Sequence, residues 1–194
     1  MGKALSDMSL EELWEIFPIV LKDHNPAYKE WYLAEMDEII RVVGTGKVLR
    51  INHIGSSSVE GLIAKPIVDI LMEVSHDCDM EELKSTLCNA GWLLMSVENE
   101  PDLKMSFNKG YTPSGFAERV FHLHVRFLGD WDELYFRDYL LAHREVAEEY
   151  GKLKQRLKEQ YEHNRDGYTE AKAEFITKYS KLARKEFGNR YAPE

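Results

Sequence analysis

The residues with the most chemistry to offer lie between 50 and 74, in the run RINHIGSSSVEGLIAKPIVDILMEV. Gly55 allows a sharp turn that brings backbone N–H groups against a ligand. Ser56 and Ser57 add hydroxyls, and a helical turn opening at Ser57 would aim further N–H groups at an anion. Lys65 precedes Pro66, which favours extended backbone at 65 and sets the ammonium beside the turn. Asp69 stands among Ile67, Val68, Ile70, Leu71 and Met72, where a carboxylate is unfavourable unless paired, hydrogen-bonded or bound to metal. Together these groups have the chemistry to hold a phosphorylated ligand. A serine-capped turn, a solvated lysine and a structural ion pair are the plain alternatives for the same residues. The run is not a Walker A loop, because it has no Gly-Lys-Ser/Thr, and Gly44-Thr45-Gly46 is no dinucleotide fingerprint, because position 49 is leucine.

A second cluster follows. His122 and His124 are two apart in an alternating strand, so both point to one face, and Arg126 continues it. If that strand lies beside the Asp69 strand, one aspartate and two imidazoles converge. Such a set suits zinc, manganese, iron or nickel better than magnesium. The alternative is a histidine that hydrogen-bonds Asp69 with no metal. His53 belongs to the same neighbourhood, either facing a ligand or fixing the turn. Arg137 either reaches the pocket or forms a packing ion pair with Asp138.

The elements that must position these groups follow from periodicity. Ser9 and Glu12 form a capping box for a short helix at Leu10–Ile16, and residues 16–21 are extended. Asn25-Pro26 opens a long helix with Tyr28, Tyr32, Met36, Ile39 and Val43 on one face, stopped by Gly44-Thr45-Gly46. Strands are expected at Val48–Ile54 and 66–74, a helix at 79–90, a hairpin of 92–98 with 103–109, and a strand at 116–127. Helices are expected at 133–143, 145–161 and 168–187. The fold class is therefore α/β of the α+β type: a mixed sheet with flanking helices and a helical C-terminal part.

The chain has 194 residues, the length of one ordinary domain, with 44% hydrophobic and 30% charged residues. Its 25 basic and 34 acidic residues leave a net charge of -9, which argues against general nucleic-acid binding and against an anionic membrane as partner. Cys78 and Cys88 form no CxxC pair, and no apolar run approaches a membrane span, so a cytoplasmic protein with reduced thiols is expected.

The run HIGSSSVEGLIAKPIVDILMEV resembles the nucleotidyltransferase superfamily signature, and more closely that of the GrpB family, which runs near HIGSTAVPGLAAKPIIDI. FHLHV at 121–125, FRDYLLAHREVAEEYGKLKQRL at 136–157 and YTEAKAEFI at 168–176 extend the likeness over most of the chain from about residue 25. The resemblance implies a nucleotidyltransferase-like core at 25–130, preceded by an extension at 1–24 and followed by a helical part at 131–194 packed on it. It implies that Gly55 and Ser56 grip phosphates, with Ser57 keeping the family's hydroxyl, that Lys65 and Lys172 neutralise them, and that Asp69 is the first metal carboxylate; His122 and His124 are then expected to complete the shell of a divalent metal (magnesium, manganese or zinc) or to serve as base, and Arg137 to join the phosphate-binding residues if it reaches the pocket. Two departures stand out. Leu71 occupies the second carboxylate position, and Glu73 is about 13 Å along the strand from Asp69. Glu60 replaces the family's proline, and the residues offer no reason for it. The implied function is metal-assisted nucleotidyl transfer from a nucleoside triphosphate. A catalytically degenerate nucleotide- or coenzyme-binding module with a sensing or chaperone-like role, and a His/Asp metal phosphohydrolase, are the alternatives.

Overall fold

The computed structural model describes residues 5–193. Five strands form one mixed sheet: β1 (Val48–Ile54), β2 (Val68–Val74), β3 (Leu93–Glu98), β4 (Lys104–Thr112) and β5 (Gly115–Phe127), in the order β1-β2-β5-β4-β3. Only β2 and β5 run parallel; the other neighbours are antiparallel. The helices are α1 (Leu10–Ile16), α2 (Ala27–Val43), α3 (Met80–Asn89), α4 (Asp132–Ala142), α5 (Arg144–Tyr161), α6 (Arg165–Glu170) and α7 (Ala173–Phe187).

The period of two along β2 sorts its side chains by face. Val68, Ile70, Met72 and Val74 join Leu123 and Val125 of β5 and Met105 and Phe107 of β4 beneath α2 and α3. The expected α2 stripe supplies Tyr28, Ile39 and Val43 to this core, and α3 supplies Leu83 and Leu87. Each such side chain contributes roughly 1.5–3 kcal/mol by leaving water. Asp69, Leu71 and Glu73 face the other way. Leu71 packs with Ile54 and Leu134, and Glu73, fully buried, accepts from Arg50 at 2.5 and 2.6 Å and from the Gly129 backbone at 3.1 Å.

Over that second face lie the C-terminal helices. Tyr139 and Leu140 of α4, Val146 and Tyr150 of α5, and Tyr179 and Ala183 of α7 form their own core with Val59 and Leu62 from the loop after β1. The N-terminal segment is tied into this layer: Ile19 donates its N–H to Glu162, Lys22 bridges to Ala64, and Ile19 packs on Leu157 and Tyr168. The Ser9–Glu12 capping box of α1 is present in both directions.

The structure changes one boundary with consequence. The helix expected at 168–187 is two, α6 and α7, and Lys172 stands at the break between them. Gly167, early in α6, lets that helix close against the end of α5, because a Cβ there would meet the Tyr161 ring at 2.8 Å. The expected strand at 66–74 begins at Val68, and the expected 103–109 strand runs on to Thr112, making β4 and β5 a long hairpin.

Candidate functional site

A cleft of about 1390 Å³ opens between the second sheet face, the turn after β1, α1 and the helices α5–α7. Gly55 shapes its floor. Its φ of +70° suits glycine, and a Cβ there would lie 2.4 Å from Asp69 Oδ2. Turn and carboxylate are thus in contact because position 55 has no side chain. Ser56–Ser58 form one 3-10 turn, and the Ser58 hydroxyl donates back to the Gly55 carbonyl at 2.6 Å.

Asp69 pairs in register with His122, so the two side chains share a face. Asp69 Oδ1 lies 3.1 Å from His122 Nδ1 and 3.9 Å from His124 Nε2. Burial works against the carboxylate, yet the contacts with His122 and His124 outweigh it and hold Asp69 well below the usual range. Burial pushes His122 down despite Asp69, so its ring is neutral near pH 7. One tautomer then satisfies every neighbour. Nδ1–H donates to Asp69, while Nε2 accepts from the Tyr111 hydroxyl at 2.7 Å, which itself accepts from Arg165 at 3.0 Å.

Opposite this chain stand three lysines. Lys154, only 3% exposed, donates to Ser56 Oγ at 2.9 Å and to the Ile63 carbonyl, and lies over the Tyr150 ring. Lys172 and Lys65 sit 4.4 and 5.9 Å from the centre of the Tyr168 ring. Among the described residues none of these ammoniums has an ion-pair partner; Asp69 makes its short contacts with the histidines. Burial, with the charges of Lys172 and Arg165, pushes Lys65 down to about 7. Burial, with Lys172 and Lys65, pushes Lys154 down to about 7, and burial against the pull of Asp69 pushes Lys172 down to about 8. A buried cation such as Lys154 with no ion pair is costly, and the partly buried Lys65 and Lys172 add their repulsion. They become favourable when an anion enters.

The same geometry tests the metal expectation. Glu73 is consumed by Arg50, Leu71 is buried in an apolar cluster, and His122 has both nitrogens engaged. Among the described residues no group of three His, Cys, Asp or Glu side chains is arranged to hold a metal ion. Asp69, His122 and His124 share a face as expected, but they form a hydrogen-bonded pair with a neighbour rather than a three-donor set. A resident two-metal centre does not fit this site.

Comparison with known proteins places the chain. The family model described as GrpB protein matches residues 18–182. The chain belongs to the GrpB family. A UPF0157 protein of Pseudomonas aeruginosa is 36% identical over 155 residues, covering 79% of this chain and 63% of that protein's length. The glutamate-rich protein GrpB of Alkalihalophilus pseudofirmus is 33% identical over 162 residues, covering 81% of this chain and 91% of the relative. Among solved structures, the conserved protein GrpB from Enterococcus faecalis superposes with a TM-score of 0.75 at 27% identity, covering 87% of this chain and 99% of that one.

Within this GrpB chain, Gly55, Ser56, Ser57, Lys65, Asp69, His122, His124 and Lys172 all line the cleft. Arg137 does not. Its guanidinium is held by Asp138, Asn52, the His53 carbonyl and the Tyr191 hydroxyl, so the packing alternative describes it. His53 stacks on Tyr32 and meets Ser57 Oγ at 3.0 Å; burial pushes it down to about 4, and it fixes the turn as a neutral ring. Glu60 is exposed on the loop. Sequence reasoning missed Lys154, Arg165 and Tyr111. For Lys154 a signal existed: it sits four residues after Tyr150 and three before Leu157, on the apolar stripe of α5.

Proposed function

We propose that the cleft binds a nucleoside triphosphate or a closely related polyphosphate ligand and that nucleotidyl transfer is the reaction it serves. The observation that carries this reading is the trio Lys65, Lys154 and Lys172, which line one cleft with no ion-pair partner among the described residues, Lys154 donating to Ser56. Their combined charge matches a polyphosphate tail, and a buried setting strengthens each contact. In the transfer, an acceptor oxygen bonds to the α-phosphorus, the bond from that phosphorus to the bridging oxygen breaks, and pyrophosphate leaves. The lysines neutralise the leaving group. His122 has both nitrogens occupied, so His124, whose Nε2 lies 3.9 Å from Asp69, is placed to take the acceptor's proton.

A second reading, a binding module without transfer, is favoured by Leu71, which leaves the strand one carboxylate short. One panel separates them. Melting curves with the four nucleoside triphosphates, coenzyme A and tripolyphosphate, each with and without magnesium, manganese or zinc, read binding; release of pyrophosphate reads transfer. At a hundredfold excess over Kd a ligand adds about 2.7 kcal/mol of stability. Both readings expect a shift that shrinks in Lys154→Met, and only the first expects pyrophosphate. No shift with any ligand removes both.

A further inference from the structure

Helix α1 carries Leu10, Leu13, Trp14 and, one residue past its end, Phe17, at the spacing of a single apolar face. Such a face normally disappears into a core. Here none of the helix residues is buried, and Leu10 is 59% exposed. Instead, Leu10, Leu13, Trp14 and Phe17 all line the cleft. Glu11, Glu12 and Glu15 face outward. The helix is held by its backbone and rim rather than by its apolar face: His163 Nδ1 meets the Trp14 carbonyl at 3.4 Å and lies 3.8 Å from Glu15.

This wall is continuous with the phosphate end. Phe17 packs on Tyr111 and Phe116, with ring centres 4.8 and 5.0 Å away, and Tyr111 bonds His122, which bonds Asp69. Arg165, Thr169 and Lys172 line the same space. At about 1390 Å³ the cleft exceeds the roughly 300–1,000 Å³ of ordinary small-molecule sites, so a phosphate tail leaves much of it unfilled. The helix also lies outside residues 18–182, the part that matches the family.

We infer that α1 walls a subsite for the flat, largely apolar ring system carried by the phosphates, and that Trp14 selects it. The inference rests on the phosphate reading above and adds to it the part of the ligand that the lysines do not touch. Cations at one end and aromatic side chains at the other match a nucleoside triphosphate better than a bare polyphosphate or a phosphorylated sugar. Ring stacking on tryptophan then sets the preference.

Calorimetric titration with tripolyphosphate and with ATP, GTP, CTP and UTP, all at one magnesium concentration, separates the two parts. The intact protein binds at least one nucleotide tenfold or more tighter than tripolyphosphate. Trp14→Ala abolishes that preference while tripolyphosphate affinity stays as it was, which also shows the variant is folded. Trp14→Phe keeps most of the preference. The inference is overturned if the preference survives Trp14→Ala, if tripolyphosphate affinity falls in step with it, or if no nucleotide exceeds tripolyphosphate in the intact protein. Failure of tripolyphosphate itself to bind overturns the phosphate reading, and this inference with it.

Discussion

At the scale of single residues the decisive quantity is the protonation of three amines. Lys65 and Lys154 are pushed down to about 7 and Lys172 to about 8, so each is shedding its proton just above neutrality. An anion between them favours the charged forms and restores those protons. Polyphosphate affinity should therefore fall steeply as pH rises from 7 to 9, in titrations at fixed ionic strength. Lys154→Met should weaken tripolyphosphate at least tenfold while raising the melting temperature, because it removes a buried charge that lacks a counter-ion. Asp69→Asn should do something different: tighten metal-free tripolyphosphate binding, by removing a carboxylate that repels the incoming anion, and abolish pyrophosphate release. The Asp69 end of this site was legible because a lone carboxylate in an apolar strand needs a partner. Lys154 escaped notice because one lysine on a helix of many reads as solvated until the facing strand turn is known.

Secondary-structure elements place the residues. The parallel register of β2 on β5 sets Asp69 against His122, and the same register sets Leu71 against His124 and Glu73 against Arg126. Period two in each strand foretold the faces; the parallel pairing was not readable, since it depends on which strand returns beside β2. Gly55 joins the turn to that strand. Gly55→Ala should lose about 1–3 kcal/mol in denaturant unfolding, because the alanine must hold a positive φ and clash with Asp69. Restoring the missing acid is not a repair: Leu71 is fully buried against Ile54 and Leu134, so Leu71→Asp should destabilise by several kcal/mol rather than create a metal site. Lys172 also belongs to this scale. The sequence stripe of 168–187 reads as continuous, yet α6 ends at Glu170 with Tyr168 packed on Ile19 and α7 begins at Ala173, which leaves Lys172 at the break, lining the cleft.

Across the whole molecule the cleft is what remains where the second sheet face meets the C-terminal helices, closed at one end by α1. A chain of net charge -9 thereby gathers Lys65, Lys154 and Lys172 in one cleft. That pocket stores instability. Between pH 7 and the ordinary lysine value of 10.5, the unfolded chain binds protons that the native lysines have released, so the ligand-free protein gains stability as pH rises through this window. Polyphosphate should flatten that rise by holding the native lysines charged.

The most direct test is a calorimetric titration of the protein with tripolyphosphate at pH 8 and pH 6, in buffers of different ionisation enthalpy. A polyphosphate site lined by these lysines predicts net proton uptake on binding at pH 8, shrinking towards zero at pH 6 and diminished in Lys154→Met. Absence of binding, or binding at pH 8 with no proton uptake, would contradict it.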